Sequence, residues 1–293
     1  MDKQDSGTAT QVSIVIPLLN EQENLPSLYE QITQAMQGQV SYEILFIDDG
    51  STDQSYAALQ GFHQNDPRVR VIRFRKNFGQ TAAMSAGFER AQGEIIIALD
   101  ADLQNDPADI PMLIEKLEQG YDVVSGWRKK RHDNAVTRLL PSKIANWIIG
   151  CITGVKLHDY GCTLKAYRRE VLQQTRLYGE MHRFIPALAS WSGACIAECV
   201  VNHRPRTAGV AKYGLGRTFK VVLDLMTVKF LGGFSTKPIY VFGGLGGLSA
   251  LGSFLCGIIV LYQKFISPAH LGLNRNPLFF VAALLFTTTI QFV

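Results

Sequence analysis

The sequence predicts an α/β fold, a mostly parallel sheet covered on both faces by helices and followed by membrane helices. Three observations carry the prediction. Up to residue 127, continuous apolar runs alternate with amphipathic stretches, as strands buried on both faces alternate with covering helices. Acidic residues gather directly after those runs, at the carboxyl ends of the strands where such sheets bind ligands. Finally, no charge interrupts Pro238 to Gln263. As a helix this run spans about 39 Å, more than a bilayer's hydrocarbon core needs.

Taken in order, "VSIVIPLL" reads as a strand, 23–37 as a helix and "YEILFIDDG" as a second strand. A helix over 53–64, the strand "VRVIRF", a helix over 80–92 and the strand "EIIIAL" follow. A helix from about 107 to 119 then leads to a fifth strand, "YDVVSGW". From 134 to 210 the alternation breaks, with helices at 141–153 and 181–192 and strands near 163–168 and 194–203. Over 216–236, Arg217, Lys220 and Asp224 recur at helical spacing against Phe219, Val222, Leu223, Met226 and Phe230. That pattern suits a helix lying in a membrane interface, or one packed on the domain. The expected organisation is a catalytic domain over 1–215, a juxtamembrane amphipathic helix over 216–236 and a membrane domain over 237–293.

The 293 residues allow one large domain or two ordinary ones, and 47% hydrophobic against 18% charged excludes a disordered chain. A formal charge of +4 suits anionic lipid or phosphate but discriminates little; nucleic acid is not an expected partner. Cys195 and Cys199 are the only near neighbours among the five cysteines, with no zinc-site spacing around them. Reduced thiols in a cytosolic compartment are expected. The polar first eleven residues predict no signal peptide. A second uncharged run starts at Asn276 and reaches Val293 without a polar flank, so the natural protein is expected to continue.

The chemistry concentrates in "IIIALDADLQNDP". Asp100, Asp102 and Gln104 alternate, and if the chain stays extended past its strand they share a face. Two carboxylates and an amide oxygen suit a hard divalent cation, and Mg²⁺ typically adds substrate phosphates to one or two carboxylates. A capped turn into the helix after Pro107 is the structural alternative. An EF-hand is excluded, because Asn105 stands where that loop needs Gly and Pro111 where it needs Glu. "IDDGSTD" places Asp48, Asp49, a glycine and two hydroxyls after another strand. Capping by Ser51 or Asp53 accounts for the hydroxyls but not for Asp48. "IPLLNEQENL" offers Pro17 and Glu21 nearby.

The run "VSIVIPLLNEQENL…EILFIDDGSTD…NFGQTAAMSAGF…IIIALDADLQNDP" resembles the family 2 glycosyltransferases of GT-A fold, and within them the polyprenyl-phosphate glycosyltransferases. "HDYGCTLKAYRR" and "NHRPRTAGVAKYGLGRT" extend the resemblance, with Tyr160-Gly161-Cys162 departing from the usual short Ser/Gly/Phe run. The resemblance implies that Pro17, Leu19, Glu21, Asp48 and Asp49 line a nucleoside pocket. It implies that Asp100, Asp102 and Gln104 hold Mg²⁺ or Mn²⁺ on the donor pyrophosphate. Arg128, Arg138 and Ser142 would receive a lipid phosphate, while Arg206 and Lys212 would lie on a loop closing over the phosphates. Arginines suit a site where a dianionic donor meets a phosphate acceptor. Asp159 is expected to orient the acceptor or act as a weak base, with a turn-capping role as its alternative; His158 is given none.

The implied function is inverting transfer of a hexose to polyprenyl phosphate at the cytoplasmic face of the inner membrane, by a multi-pass protein. UDP-glucose is the expected donor, with GDP-mannose or a modified arabinose donor as alternatives. A polymerising synthase is disfavoured by the lack of a Gln-x-x-Arg-Trp motif, and an ATPase by the lack of a Walker A sequence. Intact Asp100, Asp102 and Asp159 weigh against a non-catalytic nucleotide-sugar-binding subunit. "FGGLGGLSALG" fails the dinucleotide fingerprint; the spacing of Gly243 and Gly247 suits helix association and a homo-oligomer. Lys229 and Lys237 before the first span, with only Lys264 and Arg275 beyond it, suit the cytoplasmic orientation.

Overall fold

A computed structural model of the chain describes residues 10–129, 140–173, 177, 179, 181–205, 223–230, 234, 237–267 and 272–292. They divide into two units, Met1–Val228 and Lys229–Val293. In the first, strands β1 (Val12–Leu18), β2 (Tyr42–Asp48), β3 (Val69–Arg73), β4 (Ile95–Ala98), β5 (Val123–Trp127), β6 (Lys165–Arg168) and β7 (Ile196–Val200) form one sheet, ordered β3-β2-β1-β4-β6-β5-β7. The parallel pairings are β1 with β2 and β4, β2 with β3, and β5 with β7. Between β4 and β5 runs β6, antiparallel to both.

Helices cover both faces: α1 (Leu25–Ala35), α2 (Ser55–Asn65), α3 (Gln80–Arg90), α4 (Ile110–Glu118), α5 (Leu140–Thr153), α6 (Arg169–Gln173) and α7 (Ile185–Trp191). Short 3-10 turns precede α4 and α7. The double covering explains the unbroken apolar strands. Ile14, Ile16, Ile44, Phe46 and Ile97 pack with Leu28, Ile32 and Leu113 in one core. Val15, Leu45, Ile47 and Ile96 point the other way and pack with Met84, Phe88 and Ile185. This alternation is the period of two that an extended chain imposes.

At the amino end of the sheet, the buried Asp66 accepts from Arg68 Nε at 2.9 Å and from the Tyr29 hydroxyl at 2.8 Å. These contacts, chiefly Arg68, bring its carboxyl down to about 2. Because the folded value lies below the unfolded one, the stabilisation is complete above the ordinary carboxylate range and vanishes as pH falls through about 2. Asp66→Asn should therefore cost about 1 kcal/mol at neutral pH. Denaturant titrations of the two proteins should converge as the pH is lowered.

Residues 223–230 form α8, with Leu225 and Val228 buried while Leu223 and Met226 are exposed. The other positions expected in this amphipathic stretch, up to Val222, lie outside the described residues. In the second unit α9 (Ile239–Phe265) packs against α10 (Pro277–Phe292). Ser253 donates to the Ala282 carbonyl at 2.8 Å, and Asn276 Nδ2 to Gln263 Oε1 at 2.7 Å. Among the described helices, α9 alone is long and apolar enough to cross a bilayer; α10, apolar throughout, is shorter.

Candidate active site

The carboxyl ends of β1, β2 and β4 share one edge, because Leu18 pairs with Asp48 and Val15 with Ala98. Hydroxyls and amides of "IDDGSTD" and of Ser55, at the start of α2, lace the first two loops together. Asn20 N donates to Ser51 Oγ and Glu21 N to Ser55 Oγ, both at 2.9 Å, and Thr52 N donates to Asn20 Oδ1 at 2.8 Å. Pro17 is buried within β1 opposite Ile47, while Leu19 and Glu21 are partly exposed where the loop begins. Gly50 has φ 77°, and a Cβ there would lie 2.6 Å from the Lys76 carbonyl carbon. Only glycine allows that approach.

The paired acids of β2 do different things. Asp48 is fully buried; its Oδ1 accepts from Ser51 N at 2.8 Å. Among the described residues its Oδ2 makes no hydrogen bond, and Arg73 Nε stands 3.5 Å away. Asp49 holds the loop before α3, accepting from Phe78 N at 2.7 Å and Gly79 N at 2.9 Å. Burial raises its carboxyl against those two donors.

Beyond β4, Asp100 and Asp102 come together, but not by the route expected. Leu103 has φ 59°, and Gln104 N turns back to donate to Asp102 Oδ1 at 3.2 Å. The backbone does not stay extended, so Gln104 reaches Asp102 through its amide nitrogen and alternation cannot place its side chain. Asp100 accepts from Gln80 Nε2 at 2.7 Å and from the Thr163 hydroxyl at 2.5 Å. Burial first, then the Asp102 charge, push its carboxyl up to about 6 against the pull of Thr163, Arg128 and Lys165. Two enclosed carboxylates that repel each other form a donor set that a divalent cation relieves. Among the described residues no three His, Cys, Asp or Glu side chains gather.

The reversed direction of β6 completes the site. Lys165 at its start lies opposite Ala98 at the end of β4, so residues 159–164 enter beside Asp100. There Asp159, nearly buried, grips Arg128 from the end of β5, with Nε to Oδ2 at 2.7 Å and Nη2 to Oδ1 at 3.0 Å. It also accepts from Gly161 N at 3.1 Å, so Asp159 caps its local turn while holding the Arg128 guanidinium. His158, which sequence reasoning left without a role, stacks on Trp127 with centroids 4.1 Å apart and contacts Glu198 Oε2 at 2.8 Å. The stack braces both neighbours of the ion pair. Arg138, Arg206 and Lys212 lie outside the described residues, as does the side chain of Ser142 on α5.

Sequence reasoning missed Gln80, Thr163 and Lys165. Lys165 is only 3% exposed and donates to the Tyr160 and Cys162 carbonyls, holding the loop between Asp159 and Thr163. Burial lowers its ammonium. The available signal was a lysine directly after Leu164, at the head of a short strand.

This sheet order, with an acidic edge at the carboxyl ends, defines a GT-A-like fold. It matches glucosyl-3-phosphoglycerate synthase from Mycobacterium tuberculosis with a TM-score of 0.57, at 19% identity, over 76% of this chain and 78% of that one. Residues 13–176 match the Glycosyl transferase family 2 model. The chain is 41% identical over 303 residues to the dodecaprenyl-phosphate galacturonate synthase of Rhizobium johnstonii, covering 99% of this chain and 86% of that protein. It is 38% identical to the undecaprenyl-phosphate 4-deoxy-4-formamido-L-arabinose transferase of Pseudomonas aeruginosa, over 94% and 79% of the respective lengths. The chain belongs to glycosyl transferase family 2.

Proposed function

We propose that the protein transfers a sugar from a nucleotide diphosphate donor to a polyprenyl phosphate, inverting the anomeric carbon. The observation that carries this reading is the meeting of Asp100 and Asp102 with the Arg128–Asp159 pair. Acids suited to a metal-bound pyrophosphate stand beside a fixed guanidinium suited to a phosphate. The names of the relatives, both polyprenyl-phosphate sugar enzymes, support the acceptor.

Asp100 and Asp102 would hold Mg²⁺ or Mn²⁺, with Gln104 as the third ligand in this reading and donor phosphates beside them. A structural neighbour contains Mn²⁺ and UDP. A cation held by these residues would supply positive charge against the leaving diphosphate. Asp48, Pro17, Leu19 and Glu21 would line the nucleoside pocket, and Asp49 would support it through the Phe78–Gly79 backbone. Arg128, with Arg138, Ser142 and Lys212, would receive the acceptor phosphate, and Arg206 would close over the donor phosphates. The bond from the anomeric carbon to the donor phosphate oxygen breaks as the bond to the acceptor phosphate oxygen forms. That oxygen is already ionised near neutral pH, so strong base help is unnecessary. Asp159 then serves chiefly to orient Arg128.

The glucose expectation finds no support in the relatives, whose named sugars are galacturonate and 4-deoxy-4-formamido-L-arabinose. A uronic acid or a modified pentose is the class to test first. The membrane setting draws support from α9, which exposes Leu248, Phe254 and Leu261, and from Trp147 on α5, 70% exposed. Such apolar surface is costly in water. The protein would sit multi-pass in the inner membrane with its catalytic unit on the cytoplasmic face, and a homo-oligomer through the Gly243 and Gly247 face belongs to the same reading.

The test is transfer of radiolabelled sugar into an organic-extractable product by the full chain in detergent, with undecaprenyl phosphate and Mg²⁺ or Mn²⁺. UDP-galacturonate, UDP-4-deoxy-4-formamido-L-arabinose and UDP-glucose are offered in turn. Lipid-linked product from one donor, lost in Asp102→Ala, is expected. Donor binding with no lipid product from any donor would sink the proposal and favour a binding subunit.

A further inference from the structure

Leu103, between Asp102 and Gln104, is held in the left-handed region that side chains enter only where their surroundings over-determine it. The restraint comes from residues 201–204, the segment leaving β7. Arg204 N donates to the Gln104 carbonyl at 2.9 Å, and Asn105 and His203 form an isolated antiparallel bridge. The Arg204 guanidinium pairs through Nη2 with Asp106 Oδ2 and donates through Nη1 to Gln31 Oε1 on α1 at 2.7 Å. Asp106 is itself fixed, accepting from Ala108 N at 3.1 Å. Further along, Asn202 holds Asp109 through its backbone N at 2.7 Å and its Nδ2 at 3.0 Å. The turn bearing Asp102 is thus fastened to a segment almost a hundred residues away.

We propose that Arg204 is a positioning residue for the paired carboxylates. Through Asp106 and the Gln104 carbonyl it keeps the Asp102–Asp106 turn in its left-handed form, and so fixes the direction in which Asp102 faces a divalent cation. The inference rests on the reading that Asp100 and Asp102 take that cation. Arginine suits the task because one planar fork spans acceptors on two elements, whereas a lysine ammonium is a point charge on a flexible stem.

UDP binding to the full chain in detergent, measured by calorimetry with and without Mn²⁺, tests this alongside thermal melting. Arg204→Ala should weaken the Mn²⁺-dependent part of UDP affinity by about tenfold, and leave metal-free UDP affinity within about twofold. Arg204→Lys should fall between Arg204→Ala and the wild type. Asp106→Asn should reproduce the Mn²⁺-dependent defect, and the double variant should be no worse than Arg204→Ala, since the Arg204–Asp106 pair is common to both single variants. Equal loss with and without Mn²⁺, or lowered melting with unchanged Mn²⁺ dependence, would overturn the inference while leaving the metal reading intact. Wild-type UDP binding indifferent to Mn²⁺ would overturn both.

Discussion

Asp100→Asn should reduce sugar transfer by about a thousandfold, the scale of losing one preorganised electrostatic stabiliser of a transition state, and should raise the melting temperature of the metal-free protein. Both effects follow from one environment. Burial and Asp102 raise the Asp100 carboxyl to about 6, so its ionised form is disfavoured in the folded state without a cation. The folded protein binds this proton more tightly than the unfolded chain does. The stability linked to it is therefore fully present below the ordinary carboxylate value and is lost as pH rises through about 6. The melting advantage of Asp100→Asn should be widest at pH 7 and shrink towards pH 5. Added Mn²⁺ should stabilise the wild type and leave the variant unmoved, because ligand binding to the folded state alone shifts unfolding by mass action. A variant no more stable than wild type without metal, and equally responsive to Mn²⁺, would remove Asp100 from the metal reading.

Asp159→Asn should cost about 3 kcal/mol of stability and slow transfer by about a hundredfold. Arg128 and Asp159 retain only 14% and 4% of their side-chain exposure, so removing the acid strands a guanidinium out of water. The loss of transfer comes from the same cause, since Arg128 no longer has a fixed direction. If Asp159 only orients Arg128, residual transfer by Asp159→Asn keeps the wild-type pH profile. If it is the general base, the acidic limb disappears. Arg128→Lys separates charge from geometry. It should fold better than Arg128→Ala yet recover little transfer, because a lysine cannot meet both oxygens of Asp159 in one plane.

Much of the acidic edge was legible along the chain. Strands buried on both faces must be apolar throughout, and their carboxyl ends follow from the direction of the chain. Asp48, Asp49, Asp100 and Asp102 could therefore be placed on one edge by reading. What each does there was not legible. Asp48 and Asp49 are adjacent, yet one keeps a carboxylate oxygen without a hydrogen bond among the described residues while the other is spent on the Phe78 and Gly79 amides. That division depends on where the loop before α3 returns, some thirty residues later. Alternation could not place the Gln104 side chain, because Leu103 breaks it with a left-handed backbone that no apolar side chain advertises. His158 was passed over because its partners, Trp127 and Glu198, lie on two other strands.

By itself the sequence determined the alternating α/β half, the two apolar cores of its sheet, the edge that carries the acids and the apolar helices that follow. These are consequences of local periodicity and of which residues water rejects. Only the tertiary structure decided that β6 enters antiparallel between β4 and β5. That one reversal brings Asp159, Thr163 and Lys165 to Asp100 and Arg128. Strand direction within a sheet is set by pairing partners distant in sequence, and the four residues of β6 carry no local signal of the direction in which they pair.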